Sequence, residues 1–176
     1  MVAIIRRAEP ADVAELAEVA AATFVLACPP GTKPASISAF IAAHLSPKSF
    51  ATYLADPARD IRVAVRDGNI VGYTMLVFGE PTDPDVTAAL TLRPTVELSK
   101  VYLLGEHHGV GLAATLMTAT LDAARARGAS GAWLGVNNQN SRAIRFYEKS
   151  GFAIVGAKTF QVGDQIYNDH VMERPL

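Results

Sequence analysis

One cysteine, Cys28, in 176 residues excludes an internal disulfide and, with it, the stapled architecture of small secreted domains; it fits a reducing compartment. The chain also has no excess of either charge: 16 basic against 17 acidic side chains give a net charge of −1. Nothing in that balance suggests nucleic acid or an anionic membrane as a partner. No apolar run reaches the length of about 18 residues that a membrane span needs, and the opening Met1-Val-Ala-Ile-Ile-Arg-Arg7 is too short for a signal sequence. The expectation is a soluble cytoplasmic protein. His107 and His108 are adjacent and lack a cysteine or His-x-x-x-His partner, while His44 and His170 lie far away in sequence, so no metal site is expected. No repeat and no linker is visible.

Half of the residues are hydrophobic. A chain of this length folds as one domain, residues 1–176, and buries about 70% of its unfolded surface. Val2 to Arg6 reads as a first strand, and Glu9-Pro10-Ala11-Asp12 as a helix start with proline in the first turn. That helix runs through Leu16, Val19 and Phe24 to Ala27 and breaks at Cys28-Pro29-Pro30-Gly31. Helices follow over Ile37–Leu45 and Pro47–Leu54. Strands Ile61–Val65 and Ile70–Val77 meet at the tight turn Asp67-Gly68-Asn69. Glu80 to Pro94, with three prolines and the acids Glu80, Asp83 and Asp85, reads as a loop. The last two strands, about Phe152–Gln161 and Gln165–Met172, flank Gly163-Asp164.

The most informative stretch lies between. Thr95 to Leu103 is an extended run ending in apolar residues, and a short polar loop leads to Gly109-Val110-Gly111, which opens a helix to about Arg127. A strand that stops at a glycine loop before a helix N-terminus makes an anion cradle, because unpaired N–H groups and the helix dipole converge there. Small residues let a diphosphate approach the backbone closely. No Gly-Lys-Ser/Thr follows the glycines, so this is not a nucleotide-hydrolysing loop. The third glycine and the ribose-binding acid of a dinucleotide fold are absent too.

The sequence His108-Gly109-Val110-Gly111-Leu112-Ala113 resembles the central Gln/Arg-x-x-Gly-x-Gly/Ala motif of the GCN5-related N-acetyltransferases, with histidine in the Gln/Arg position. Downstream, Asn140-Ser-Arg-Ala-Ile-Arg-Phe-Tyr147-Glu-Lys-Ser-Gly-Phe152, after the strand-like Ala132–Val136, resembles the family's closing motif in order and spacing. The resemblance implies an α/β fold: a mixed, mostly antiparallel twisted sheet of about seven strands flanked by helices, with a splayed parallel pair, Thr95–Leu103 and Ala132–Val136, binding acetyl-CoA. It implies that backbone groups of Val101, Tyr102 and Leu103 pair with the pantetheine amides near a bulge. The N–H groups from His108 or Gly109 through Val110, Gly111 and Leu112 to Ala113 hold the diphosphate. Asn140 contacts the pantetheine arm, caps the following helix, or does both.

Tyr147 matches the family tyrosine that faces the sulfur and can protonate the leaving thiolate; a core aromatic is the other reading. Some relatives place a base where this chain has Gly135. Others place it on the strand before the glycine loop, where Glu97 stands, expected by parity to share a face with Ser99 and Val101. An exposed strand glutamate is the alternative. Arg142 and Lys149 read either as contacts to the nucleotide's 3′-phosphate or as solvated helix charges. The second half of the chain looks most like the bacterial polyamine (spermidine/spermine) branch, through Glu97-Leu-Ser-Lys-Val-Tyr and Lys158-Thr-Phe-Gln-Val-Gly-Asp164 among others. Glu80, Asp83 and Asp85 would suit a polycation. The implied activity is acetyl transfer to a primary amine, a polyamine or another small amine, in a ternary complex, with a homodimer expected from relatives. Acetylation of protein N-termini or lysines, and a non-catalytic CoA-binding sensor or scaffold, are the rival readings.

Overall fold

A computed structural model of the chain describes residues 2–109 and 111–176. Its strands form one seven-stranded sheet in the order β1-β2-β3-β4-β5-β7-β6. The strands are β1 Ile4–Arg7, β2 Arg59–Arg66, β3 Asn69–Phe78, β4 Thr95–Leu103, β5 Gly131–Asn137, β6 Ala153–Val162 and β7 Gln165–Pro175. The helices are α1 Val13–Ala27, α2 Pro34–His44, α3 Pro47–Ala55, α4 Pro84–Ala89, α5 Leu112–Ala126 and α6 Ser141–Lys149. Every neighbouring pair is antiparallel except β4 and β5.

Local chemistry sets most of these boundaries. Asp12 fixes the entry to α1: its carboxylate accepts the Glu9 N–H at 2.7 Å and both ends of the Arg6 guanidinium at 2.8 and 2.9 Å. The Ser46 hydroxyl accepts the Ser49 N–H at 3.1 Å, and Pro47 fills the first helical position of α3. Asp67 and Gly68, both at positive φ, make the two-residue turn that closes the β2–β3 hairpin on the pair Arg66 and Asn69. The segment expected as a loop from Glu80 to Pro94 contains α4. Asp83 caps it through its side chain and Pro84 begins it, so the proline read as a breaker is an initiator.

The sheet is packed on both faces. Leu16 and Phe24 of α1 and Phe50 of α3 bury against Val63, Tyr73 and Met75 on one side. Met117 and Leu121 of α5 pack against Leu76, Val96 and Leu134 on the other.

Two irregularities in β4 create the site. Parallel pairing with β5 covers only Thr95↔Gly131, Val96↔Ala132 and Glu97↔Trp133, although both strands continue. Beyond Glu97 and Trp133 they splay. Against β3 the register slips: Leu98 faces Leu76 and Lys100 faces Met75, leaving Ser99 as an extra, bulged residue. A one-residue slip inverts side-chain parity. Glu97 therefore shares its face with Lys100 and Tyr102, and Val101 turns to the α5 face, which corrects the expected grouping of Glu97 with Ser99 and Val101.

Candidate active site

The splay opens into a cavity of about 530 Å³. At its α5 end, Gly109 and Gly111 take φ values of 80° and 76°, which disfavour side chains, and a Cβ built on either would meet nothing within 4 Å. The loop thus presents bare backbone to open space. The first intrahelical bond of α5 runs from the Thr115 N–H to the Gly111 carbonyl, so the N–H groups of Leu112 and Ala113 have no partner within the helix. Free amides at the positive end of a 15-residue helix fit a diphosphate, and unpaired strand edges fit an amide-bearing arm. Val110 lies outside the described residues.

His108 sits on this loop and has a partner that sequence did not reveal. Its Nε2 lies 2.7 Å from the Leu103 carbonyl oxygen. The Leu104 N–H bonds to Val71 in β3, so the Leu103 carbonyl, across the same planar peptide, points away from β3 toward the splay. The ring donates to that carbonyl and ties the end of β4 to the glycine loop. Of the three backbone segments expected to be free, Val101, Tyr102 and Leu103, the last has its carbonyl already engaged.

Asn140 begins α6 and lines the cavity, its Oδ1 accepting the Ala143 N–H at 3.1 Å. The cap uses the oxygen and leaves the side-chain NH₂ for another acceptor. Tyr147, two turns on, packs its ring against Phe146 and Phe152 at centroid distances of 5.6 and 6.1 Å and borders the cavity. Burial pushes the Tyr147 phenol well above its ordinary range, with Tyr102 adding to the effect. Such a hydroxyl favours its protonated form and can serve as a donor. Tyr102 is itself raised to about 12, first by burial and then by Cys28 and Asp169. Arg142 in the first turn of α6 also lines the cavity, whereas Lys149 at the far end does not.

Glu97 faces the cavity from the last paired position of β4. Burial raises its carboxyl above the usual range, and Lys158, Lys100 and Arg59 oppose that rise. Burial lowers the Lys100 ammonium, and Glu97 works against it. A carboxylate poised this way can take a proton from an amine. Glu80, Asp83 and Asp85, the acids expected to suit a polycation, are elsewhere. Glu80 pairs with Arg93 at 2.9 Å, Asp83 caps α4, and none of the three lines the cavity.

Sequence reasoning missed Lys158 and Asp169, which line the opposite wall. The signal was present in the last hairpin. The two-residue turn Gly163-Asp164 pairs Val162 with Gln165, and counting back along that register sets Lys158 against Asp169. Among the described residues no three His, Cys, Asp or Glu side chains are grouped as a metal site, and no helix is long and apolar enough to cross a membrane.

Known proteins share both the fold and the sequence. An uncharacterized N-acetyltransferase of Mycobacterium tuberculosis is 50% identical over 165 residues, which cover 94% of this chain and 98% of the relative. A streptothricin acetyltransferase of Streptomyces lavendulae is 33% identical over 90 residues, 51% of this chain and 42% of its own. The paia N-acetyltransferase of Thermoplasma acidophilum, solved in complex with coenzyme A, superposes over 100% of both chains with a TM-score of 0.79 at 20% identity, a likeness of fold. Residues 25–152 match the acetyltransferase (GNAT) family. With the glycine cradle and the splayed β4–β5 pair in place, this chain belongs to the GNAT acetyltransferases and is an acetyl-CoA-dependent N-acetyltransferase.

Proposed function

We propose that the chain transfers acetyl directly to a small primary amine, both substrates being held at once in the β4–β5 splay. The observation that carries this reading is that Glu97 and Tyr147, of opposite proton-transfer character, border the same cavity. Bound acetyl-CoA supplies an activated acetyl thioester. The amides of Gly109, Gly111, Leu112 and Ala113 hold its diphosphate, the edges of Val101 and Tyr102 its pantetheine arm, and the Asn140 NH₂ a carbonyl of that arm.

Glu97 takes a proton from the ammonium of the acceptor, leaving the nitrogen lone pair free. An alkylamine with pKa near 10 is almost wholly protonated at neutral pH, so this step is needed before attack. Tyr147 keeps its proton at Oη until the sulfur departs, and donates to it then. A donor aimed at charge that develops late lowers the barrier selectively. Alignment of the two substrates supplies much of the remaining rate.

Thiol release from acetyl-CoA, followed with phenethylamine, hexylamine, spermidine, spermine, streptothricin, amino acids and short peptides, tests this reading. Streptothricin belongs in the panel because one relative is named for acetylating it. The expected result is amine-dependent thiol release with at least one small amine, and an acetylated amine as product. Release only with peptides would move the acceptor to proteins. Tight acetyl-CoA binding without amine-dependent release would leave a CoA-binding sensor.

A further inference from the structure

The wall of the cavity facing α1 and α2 is unlike the CoA side. Phe24 and Phe40 stack there at 4.4 Å and 7°, and Phe160 meets Phe40 edge-on at 5.7 Å. Beneath them the charged side chains lining the cavity on this side are Glu97, Lys100, Lys158 and Asp169, two of each sign. Three of these are accounted for: Glu97 acts as base, and Lys100 and Lys158 neutralise the floor. Asp169 has no assigned task.

Its surroundings give it one. Asp169 is only 8% exposed and lines the cavity, and no hydrogen bond between its carboxylate and another described residue is formed. The nearest cation, Lys158 Nζ, stays 3.8 Å away and bonds to the Thr159 carbonyl at 3.3 Å. A carboxylate that faces a cavity without protein donors is open to a ligand that brings its own N–H groups. Position 135 keeps it open. A Cβ there would stand 3.3 Å from Asp169 Oδ2 and 3.3 Å from Lys158 Cδ, so a longer side chain would lie across the carboxylate. Gly135 leaves that approach clear, directly across β5 from the unpaired edge of β4. Burial pushes the Asp169 carboxyl above its usual range, with Lys158 and His170 opposing, and a further cation would oppose it in the same way.

We propose that Asp169 is the carboxylate on which the acceptor's ammonium docks, and that the acceptor is a monoamine carried on an apolar or aromatic body. This rests on the amine-acetyltransferase reading above. The ammonium replaces Lys158 as the close partner of Asp169 and comes within reach of Glu97, while its body lies against Phe24, Phe40 and Phe160. A polyamine would bring further cations against the two lysines.

Steady-state kinetics on Asp169→Asn and Lys158→Met, with phenethylamine and spermidine as acceptors, test the assignment. A lost charge-assisted hydrogen bond in a buried site predicts that Asp169→Asn raises KM for phenethylamine roughly 10- to 100-fold, with a smaller change in kcat. The dissociation constant for acetyl-CoA, measured by calorimetry, stays unchanged. Lys158→Met removes the competing cation and is expected to lower KM severalfold. An ion pair with a structural role only predicts the same sign for both variants, and that result, or an unchanged KM in Asp169→Asn, overturns the docking role. Should Asp169→Asn melt early by circular dichroism, the sign of the Lys158→Met effect decides. Wild-type kcat/KM greater for spermidine than for phenethylamine overturns the monoamine class. Absence of turnover with every small amine removes the small-amine reading above and this one with it, which separates the two failures.

Discussion

Tyr147→Phe is expected to lower kcat by about 10²-fold or more, the usual worth of a positioned proton donor, with little change in acetyl-CoA affinity or melting temperature. The substitution removes one oxygen and leaves the ring, whose contacts with Phe146 and Phe152 hold the end of α6 against the sheet. A purely structural tyrosine would therefore tolerate it. The hydroxyl matters because burial raises it and so favours the protonated form. A protonated phenol is a poor base, so a loss of rate in Tyr147→Phe points to donation to the departing sulfur. The test is kcat for thiol release beside a thermal melt and an acetyl-CoA titration. A kcat within threefold of wild type would return Tyr147 to the core.

Glu97→Gln is expected to cost a similar factor in kcat/KM while leaving the protein no less stable. Only the ionised carboxylate takes a proton, and burial has moved Glu97 above the usual range, so its contribution to the rate grows in at a pH above that of an ordinary carboxylate. The glutamine variant loses that ascending limb. Stability runs the other way. A carboxyl raised on folding contributes stability that is fully present below its unfolded value of about 4.3 and is lost as pH rises through the folded value. Once Glu97 ionises, the wild type carries a desolvated charge that glutamine does not. Urea unfolding at pH 7.5 should therefore find Glu97→Gln equal to or more stable than wild type, and kinetics should find it crippled. Loss of stability with retained activity would mark Glu97 as a structural partner of Lys100 and Lys158.

What sequence made legible was whatever depends on neighbouring residues. The glycine loop and helix start at Gly109–Leu112, the hairpin at Asp67-Gly68 and the cap at Asn140 are local backbone chemistry, and each stands in the fold as an element boundary. Asp83-Pro84 carried the same kind of signal for α4, outweighed by the surrounding prolines. The bulge at Ser99 was not local: it is a mismatch between two strands, and it carries Tyr102 rather than Val101 to the side of Glu97. Asp169 was further from view. Its place beside Gly135 needs the last hairpin to close on β5, where Asp169 pairs with Asn137, a contact distant in sequence. The acids chosen for a polycation failed for the converse reason, since charge count in a loop says nothing about which way the loop faces.

Direct transfer in the splay makes a kinetic demand that the cavity itself could contradict. Cys28 at the end of α1 also lines it, and a thiol there could carry acetyl as a covalent intermediate. Burial raises the Cys28 thiol and so disfavours the thiolate such a step needs. Initial velocities measured over a grid of acetyl-CoA and phenethylamine concentrations, for wild type and Cys28→Ala, separate the two routes. The account predicts intersecting double-reciprocal lines and a Cys28→Ala variant of near wild-type kcat. Parallel lines, with activity lost in Cys28→Ala and acetyl found on Cys28 by mass spectrometry, would contradict it.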